Sequence, residues 1–149
     1  MMALINHWDL KSDNNAIYEE NGEHRYVVSD VGASFGRTDH HFKRTKDNLQ
    51  HYADSDFIRE TTPDTVDFHL KSRPMLFEAV LLPRYRQQAK REKIVKGIPR
   101  EHARWMGQML AGLSEQQIRD CFRAAGYKPE EADGYTVTLK QRIAQLNRL

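Results

Sequence analysis

The sequence holds a single cysteine, Cys121, so no intramolecular disulfide framework and no cysteine-rich zinc site can form. It has no apolar run near the roughly 20 residues that span a bilayer, so no membrane span is expected. The opening Met1-Met2-Ala3-Leu4-Ile5-Asn6 is too short and lacks the basic flank of a secretory signal. Excess charge of one sign is also missing. With 23 basic and 21 acidic residues the formal net charge is +2, and nothing drives the whole chain toward nucleic acid or an anionic membrane. No G-x-S-x-G, P-loop, H-E-x-x-H or dinucleotide fingerprint occurs. Membrane, collagen-like, disulfide-rich and disordered classes are excluded.

What is present suits one domain. The 149 residues are 39% hydrophobic and 30% charged, and six Phe, six Tyr and two Trp can anchor a core. A domain of this length buries roughly 68–70% of its unfolded surface. The charge is segregated. Residues 1–35 carry six acids against Lys11 and Arg25, as if to hold cations. Residues 84–104 carry eight bases against Glu92 and Glu101, which suits a solvated face or an anion.

Residues 1–5 are apolar, stop at Asn6 and resemble the last turn of a helix. Two β-prone runs, 16–19 and 25–28, flank Asn21-Gly22, the strongest short hairpin signal. Asp30 to Gly36 then reads as a glycine-punctuated loop. Residues 37–65 are polar and irregular, with a short helix expected around 47–53. Residues 66–70 alternate as a third strand. A basic helix is expected over 84–96, stopped by Gly97. The next helix starts near Pro99, with His102, Trp105, Met106, Met109, Leu110 and Leu113 as its core-facing stripe. Ser114-Glu115-Gln116-Gln117 has the form of a capping box. It opens a helix with Ile118, Cys121, Phe122 and Ala125 on one face, where Cys121 reads as a small buried hydrophobe. Gly126 ends that helix. Pro129-Glu130-Glu131 starts the last one, whose stripe is Ala132, Tyr135, Leu139, Ile143 and Leu146. Gly134 and Thr136-Val137-Thr138 weigh against its continuity. The expected fold is α+β, a small β-hairpin head with a mainly helical body. It forms a single unit over 1–149, with the motif-bearing segment at 1–36 and a helical subregion at 84–149.

His7-Trp8-Asp9-Leu10-Lys11-Ser12-Asp13-Asn14 has the spacing H-x-D-x-K-x-x-N, and Asp30-Val31-Gly32 follows beyond the hairpin. This order resembles protein kinases, whose H-R-D-L-K-x-x-N catalytic loop precedes a hairpin and a D-F-G metal motif; here Trp8 replaces the arginine. The resemblance implies the carboxy-terminal lobe of the protein-kinase-like fold. Its chemistry needs a carboxylate beside the attacking hydroxyl and oxygen ligands for metal ions on the phosphates. By that resemblance Asp9 orients the acceptor hydroxyl and Lys11 contacts the transferred phosphate. Asn14 and Asp30 bind Mg²⁺ (or Mn²⁺) carrying ATP. Partners would be the nucleotide and an acceptor that is a protein, lipid or small molecule, with no nucleic acid.

Nothing before His7 supplies the glycine-rich loop or V-A-I-K lysine of the nucleotide-covering lobe, and no A-P-E tripeptide follows Asp30. The pattern therefore resembles atypical branches: HipA-type, phosphoinositide-kinase-like and aminoglycoside phosphotransferase-like proteins. The stretch from Tyr26 to Gly36 also resembles one found in bacterial proteins of this broad kind. The resemblance implies a lobe severed from its partner lobe and inactive alone. Apolar Leu4, Ile5 and Trp8 would then be exposed and favour self-association. The default compartment is the cytoplasm, although a missing amino terminus could have carried a signal. The alternatives are a catalytically silent kinase-like binding module and a helical interaction domain. Asp39-His40-His41 with His51 offers metal-ligand residue types, but adjacent histidines point apart, so a solvated loop is the simpler reading.

Overall fold

In the computed structural model, which describes residues 1–9, 15–37, 44–70 and 93–149, the chain reverses at Asn21-Gly22. Both residues have positive φ, 54° and 77°. That is the backbone a two-residue hairpin with right-handed strand twist requires, and the reason Asn-Gly is found there. Strand β1 (Asn15–Glu20) pairs antiparallel with β2 (Glu23–Val28), Ile17 opposite Tyr26. All of β2 is exposed. A short 3₁₀ turn, Val31–Ala33, follows.

Helix α1 (Leu49–Ala53) starts at Asn48, whose side chain accepts from the His51 amide at 2.9 Å. Strand β3 (Ile58–Thr61) turns into β4 (Thr65–Phe68), and β5 (Ile98–Pro99) joins the other edge, giving the order β3-β4-β5. The alternation expected at 66–70 is present: Val66 and Phe68 are buried, Thr65 and Asp67 half-buried. This second small sheet goes beyond the expected hairpin head. Of the basic helix expected over 84–96, residues 84–92 lie outside the described residues. Lys93–Val95 form one 3₁₀ turn, and Gly97, at φ 62°, turns the chain into β5.

Three helices complete the α+β fold: α2 (Arg100–Ala111), α3 (Glu115–Ala124) and α4 (Pro129–Asn147). The Ser114 box is formed in both directions, its hydroxyl accepting from Gln117 N at 3.1 Å and its amide donating to Gln117 Oε1 at 2.8 Å. Gly126 ends α3 at φ 90°. Helix α4 lies against α1, α2 and α3 and buries Ala132, Tyr135, Ile143 and Leu146. It runs through the Thr136-Val137-Thr138 stretch unbroken. The Thr136 and Thr138 hydroxyls donate back to the carbonyls of Ala132 (2.7 Å) and Gly134 (3.0 Å), so neither is left unpaired in the core. Gly134 lies close against α1: a Cβ there would stand 2.4 Å from Leu49 Cδ2, and the Leu49 side chain would have to shift.

Two side-chain expectations are corrected. Trp105 and Met109 do not face the core; they are 58% and 62% exposed, and Met106 is half-buried. The inward face of α2 is Ala103 and Gly107. A Cβ on Gly107 would sit 2.7 Å from Leu146 Cβ, so small residues set the close approach of α2 to α4. Cys121 is likewise exposed, not buried, while Ile118 and Phe122 point inward. The centre of the core is aromatic. Phe35 meets the rings of Tyr52, Phe122 and Tyr135 edge-on at 5.3–5.5 Å between centroids. No helix among the described residues is long and apolar enough to cross a membrane.

Candidate functional site

The segment leading to Asp9 begins as hydrogen-bonded turns. Leu4 N bonds to Met1 O, Asn6 N to Ala3 O, and His7 N to Met2 O. Residues 1–5 therefore form hydrogen-bonded turns and not the last turn of a helix. Their packing differs from that of a severed lobe, because Leu4 is buried and Ile5 and Trp8 are half-buried. The expected exposure of these three is corrected: they cover the core beside α4. Asn6 takes a left-handed conformation, φ 51°, which ends the turns.

From Asn6 the chain is laced to the loop after Asp30. Phe35 N donates to Ile5 O at 2.8 Å, and Trp8 N to Ala33 O at 3.3 Å. Asn6 Nδ2 donates to Gly36 O at 2.9 Å. His7, fully buried, joins the same two segments: Nδ1 lies 3.1 Å from Ser34 Oγ and Nε2 2.9 Å from the Asp9 carbonyl oxygen. A carbonyl can only accept, so Nε2 carries the hydrogen. In the singly protonated ring Nδ1 then accepts from the Ser34 hydroxyl. His7 thus fixes the backbone at Asp9 and the loop at Ser34 together. The hairpin is an excursion between two loops that are themselves tied. Gly36 cannot carry a side chain here, since a Cβ would fall 2.1 Å from Thr45 O.

Asp30 stands at the head of the 3₁₀ turn with φ 51° and ψ 59°, and its side chain makes no capping bond to that turn. Its carboxylate oxygen Oδ1 lies 3.7 Å from where a Gly32 Cβ would be, an ordinary contact distance. Asn6, Asp30 and Phe35 are all non-glycine residues at positive φ. Such conformations cost on the order of 1–3 kcal/mol each and persist where surrounding contacts over-determine them.

A residue that the motif does not contain holds this arrangement from below. Arg142 of α4, 3% exposed, donates to Leu4 O (3.0 Å), Asn6 Oδ1 (3.3 Å), Tyr52 O (3.0 Å) and Ser55 Oγ (2.8 Å). Its guanidinium stacks 4.1 Å from the Tyr52 ring centre. Burial lowers the Arg142 pKa, partly offset by the Tyr52 phenol, and an arginine remains protonated regardless. Burial pushes the Tyr52 phenol up to about 12, against a smaller lowering by Arg142. The sequence signal for Arg142 is a cation interrupting the apolar stripe of the last helix, between Leu139 and Ile143.

Of the four expected site residues, Asp9 is half-buried and Asp30 exposed, on the two tied segments; Lys11 and Asn14 lie outside the described residues. Among the described residues no three His, Cys, Asp or Glu side chains form a metal-holding group. In the His-rich region, Asp39, His40 and His41 lie outside the described residues, and His51 Nδ1 is 3.0 Å from Thr45 Oγ1. No family model, curated protein or solved structure matches the chain.

Proposed function

We propose that this chain is the carboxy-terminal, catalysis-bearing lobe of an atypical kinase-like phosphotransferase, acting in the cytoplasm on a protein, lipid or small-molecule acceptor. The observation that carries the reading is the lacing of the His7–Asp9 segment to the Ser34–Gly36 loop around a buried histidine. The motif order in the sequence thereby becomes one locally braced unit. Positive-φ backbone at Phe35, a bulky residue that rarely adopts it, adds support, because such strain clusters at functional sites.

The donor set fits a hard cation. The Asp30 carboxylate and the Asn14 amide offer oxygen only, and Mg²⁺ takes oxygen ligands while keeping several waters. With one or two protein ligands, phosphate oxygens complete the shell. The bound ion would neutralise charge on the transferred phosphoryl group. Asp9 orients the acceptor hydroxyl and receives its hydrogen bond, Lys11 contacts the transferred phosphate, and His7 holds the Asp9 backbone in place.

Paramagnetic Mn²⁺ with ATP, titrated into the isotope-labelled chain, tests this reading by NMR. Broadening centred on residues 30–33 and around Asp9 supports it. Broadening centred on other acids, such as Asp54 and Asp56, contradicts it. A second reading, a catalytically silent partner-binding module, is favoured by one observation: an apolar groove of about 1110 Å³ beside the hairpin.

A further inference from the structure

We infer that this groove is the interface with a second copy of the chain, arranged as a closed two-fold dimer; the inference does not depend on the phosphotransferase reading. One wall is the hairpin, with Ile17, Tyr26 and Val27 exposed. The other wall is Met1, Ile94 and Trp105. Tyr26 is 75% exposed and Trp105 58%, far more than a lone surface aromatic needs. A two-stranded hairpin is at best marginally stable alone, so six residues a side held clear of the core call for a covering partner.

The charge on the two walls says which partner fits. The hairpin carries Glu19, Glu20 and Glu23 against Arg25, and Arg25 is already paired with Glu20 at 2.8 Å. The flank of the facing wall carries Lys93 and Lys96, both exposed, whereas Arg100 and Arg104 are engaged with the Leu149 carbonyl. An acidic wall and a basic wall on one molecule are self-complementary. In a two-fold contact each hairpin meets the partner's basic wall, and the same pairing occurs twice. An indifferent hydrophobic ligand would satisfy the groove but leave this segregation unused.

Sedimentation equilibrium of the full chain, from low micromolar to several hundred micromolar, is expected to show a monomer–dimer equilibrium that weakens with salt. Trp105→Glu and Tyr26→Glu, both at exposed positions, should keep the native circular dichroism and weaken the dimer by about 100-fold or more. The decisive arm uses two charge-reversed chains, Glu19→Lys with Glu23→Lys, and Lys93→Glu with Lys96→Glu. Each alone should be monomeric, since like walls then face each other. Mixed in equal amounts they should form a heterodimer, because both contacts become opposite in sign again. A monomeric wild type at every concentration overturns the inference. So does a dimer insensitive to Trp105→Glu, an association that grows beyond two, or failure of the mixture to associate.

Discussion

Replacing Arg142 with methionine keeps the length and packing of the stem but removes every donor of the guanidinium. Six buried or part-buried acceptors then lose a partner: the carbonyls of Ala3, Leu4, Tyr52 and Ser55, with Asn6 Oδ1 and Ser55 Oγ. Leu4 O keeps the Tyr52 hydroxyl at 2.7 Å, Tyr52 O keeps the Ser55 hydroxyl at 2.8 Å and Ser55 Oγ keeps the Asn6 amide at 2.7 Å, so these losses are partial. Each unsatisfied buried acceptor costs about 1–3 kcal/mol, and such costs are not additive within one network. The desolvation of a buried cation is regained, which offsets part of the loss. The net expectation is a destabilisation of about 3–5 kcal/mol, a large share of the 5–15 kcal/mol typical of a domain. At about 2–4 °C per kcal/mol for a chain near this size, the melting temperature should fall by roughly 6–20 °C. Arg142→Lys should lie between, because one ammonium cannot serve all of these acceptors at once. Arg123→Met is the control: its contact with Asp120, 3.6 Å and largely exposed, should be worth less than about 1 kcal/mol. Urea denaturation and calorimetry give the numbers, and hydrogen exchange at the Phe35 amide, which bonds to Ile5 O, reports whether the two loops loosen. An Arg142→Met protein within 1 kcal/mol of wild type, with Phe35 protection unchanged, would falsify the view that Arg142 braces these loops.

Gly107→Val should destabilise by about 2–3 kcal/mol or more, since its Cβ meets Leu146 Cβ and Asn147 Oδ1 at 2.7 Å, whereas Gln108→Val on the exposed face should cost under about 1 kcal/mol; equal urea midpoints would contradict the close packing of α2 on α4. The alkaline limb should be steep. Tyr52 is raised to about 12, chiefly by burial, and burial also raises Tyr127 and Tyr135. A phenol whose folded pKa lies above its unfolded value contributes stability in full below about pH 10 and loses it as pH climbs toward 12, because only the unfolded chain deprotonates freely there. Tyr52→Phe should flatten the fall in urea midpoint between these limits, and parallel falls in wild type and variant would contradict the assignment. The isolated chain should turn over little or no ATP, since its sequence contains neither a glycine-rich phosphate loop nor a V-A-I-K lysine; robust turnover in a phosphate-release assay would contradict this.

The local elements were legible because local chemistry dictates them. Asn21-Gly22 supplies two positive-φ residues between β-prone runs, Ser114 and Gln117 satisfy each other's orphan groups, and Gly126 terminates a helix. The second sheet was not legible as a unit. Strand β5 is two residues long and pairs with Thr65 and Val66 more than thirty positions earlier, an arrangement decided by tertiary packing. The face of α2 was misjudged because apolarity pointed to Trp105 and Met109, whereas helix approach is limited by size and selects Ala103 and Gly107. Cys121 fails for a geometric reason. Three residues past Ile118 is about 60° short of a full turn, on the opposite side from Phe122, which leaves it at the edge of the stripe. At the candidate site, the motif's His7 and the loop after Asp30 lie on the two laced segments. The brace of Asn6, Ser34 and Arg142 spans up to 136 positions and has no local signature.

The central claim is that Asp30 belongs to a phosphate-bearing metal site. Scanning calorimetry of the wild-type chain, Asp9→Ala and Asp30→Ala, with millimolar Mg²⁺ and then with ATP added, tests it most directly. Binding to the folded state stabilises by RT ln(1 + [L]/Kd), about 1.4 kcal/mol at ten times Kd, which is a rise of roughly 3–6 °C for a domain of this size. The account predicts that rise in wild type, larger with ATP, most of it kept in Asp9→Ala and none of it in Asp30→Ala. Equal shifts in wild type and Asp30→Ala would contradict it.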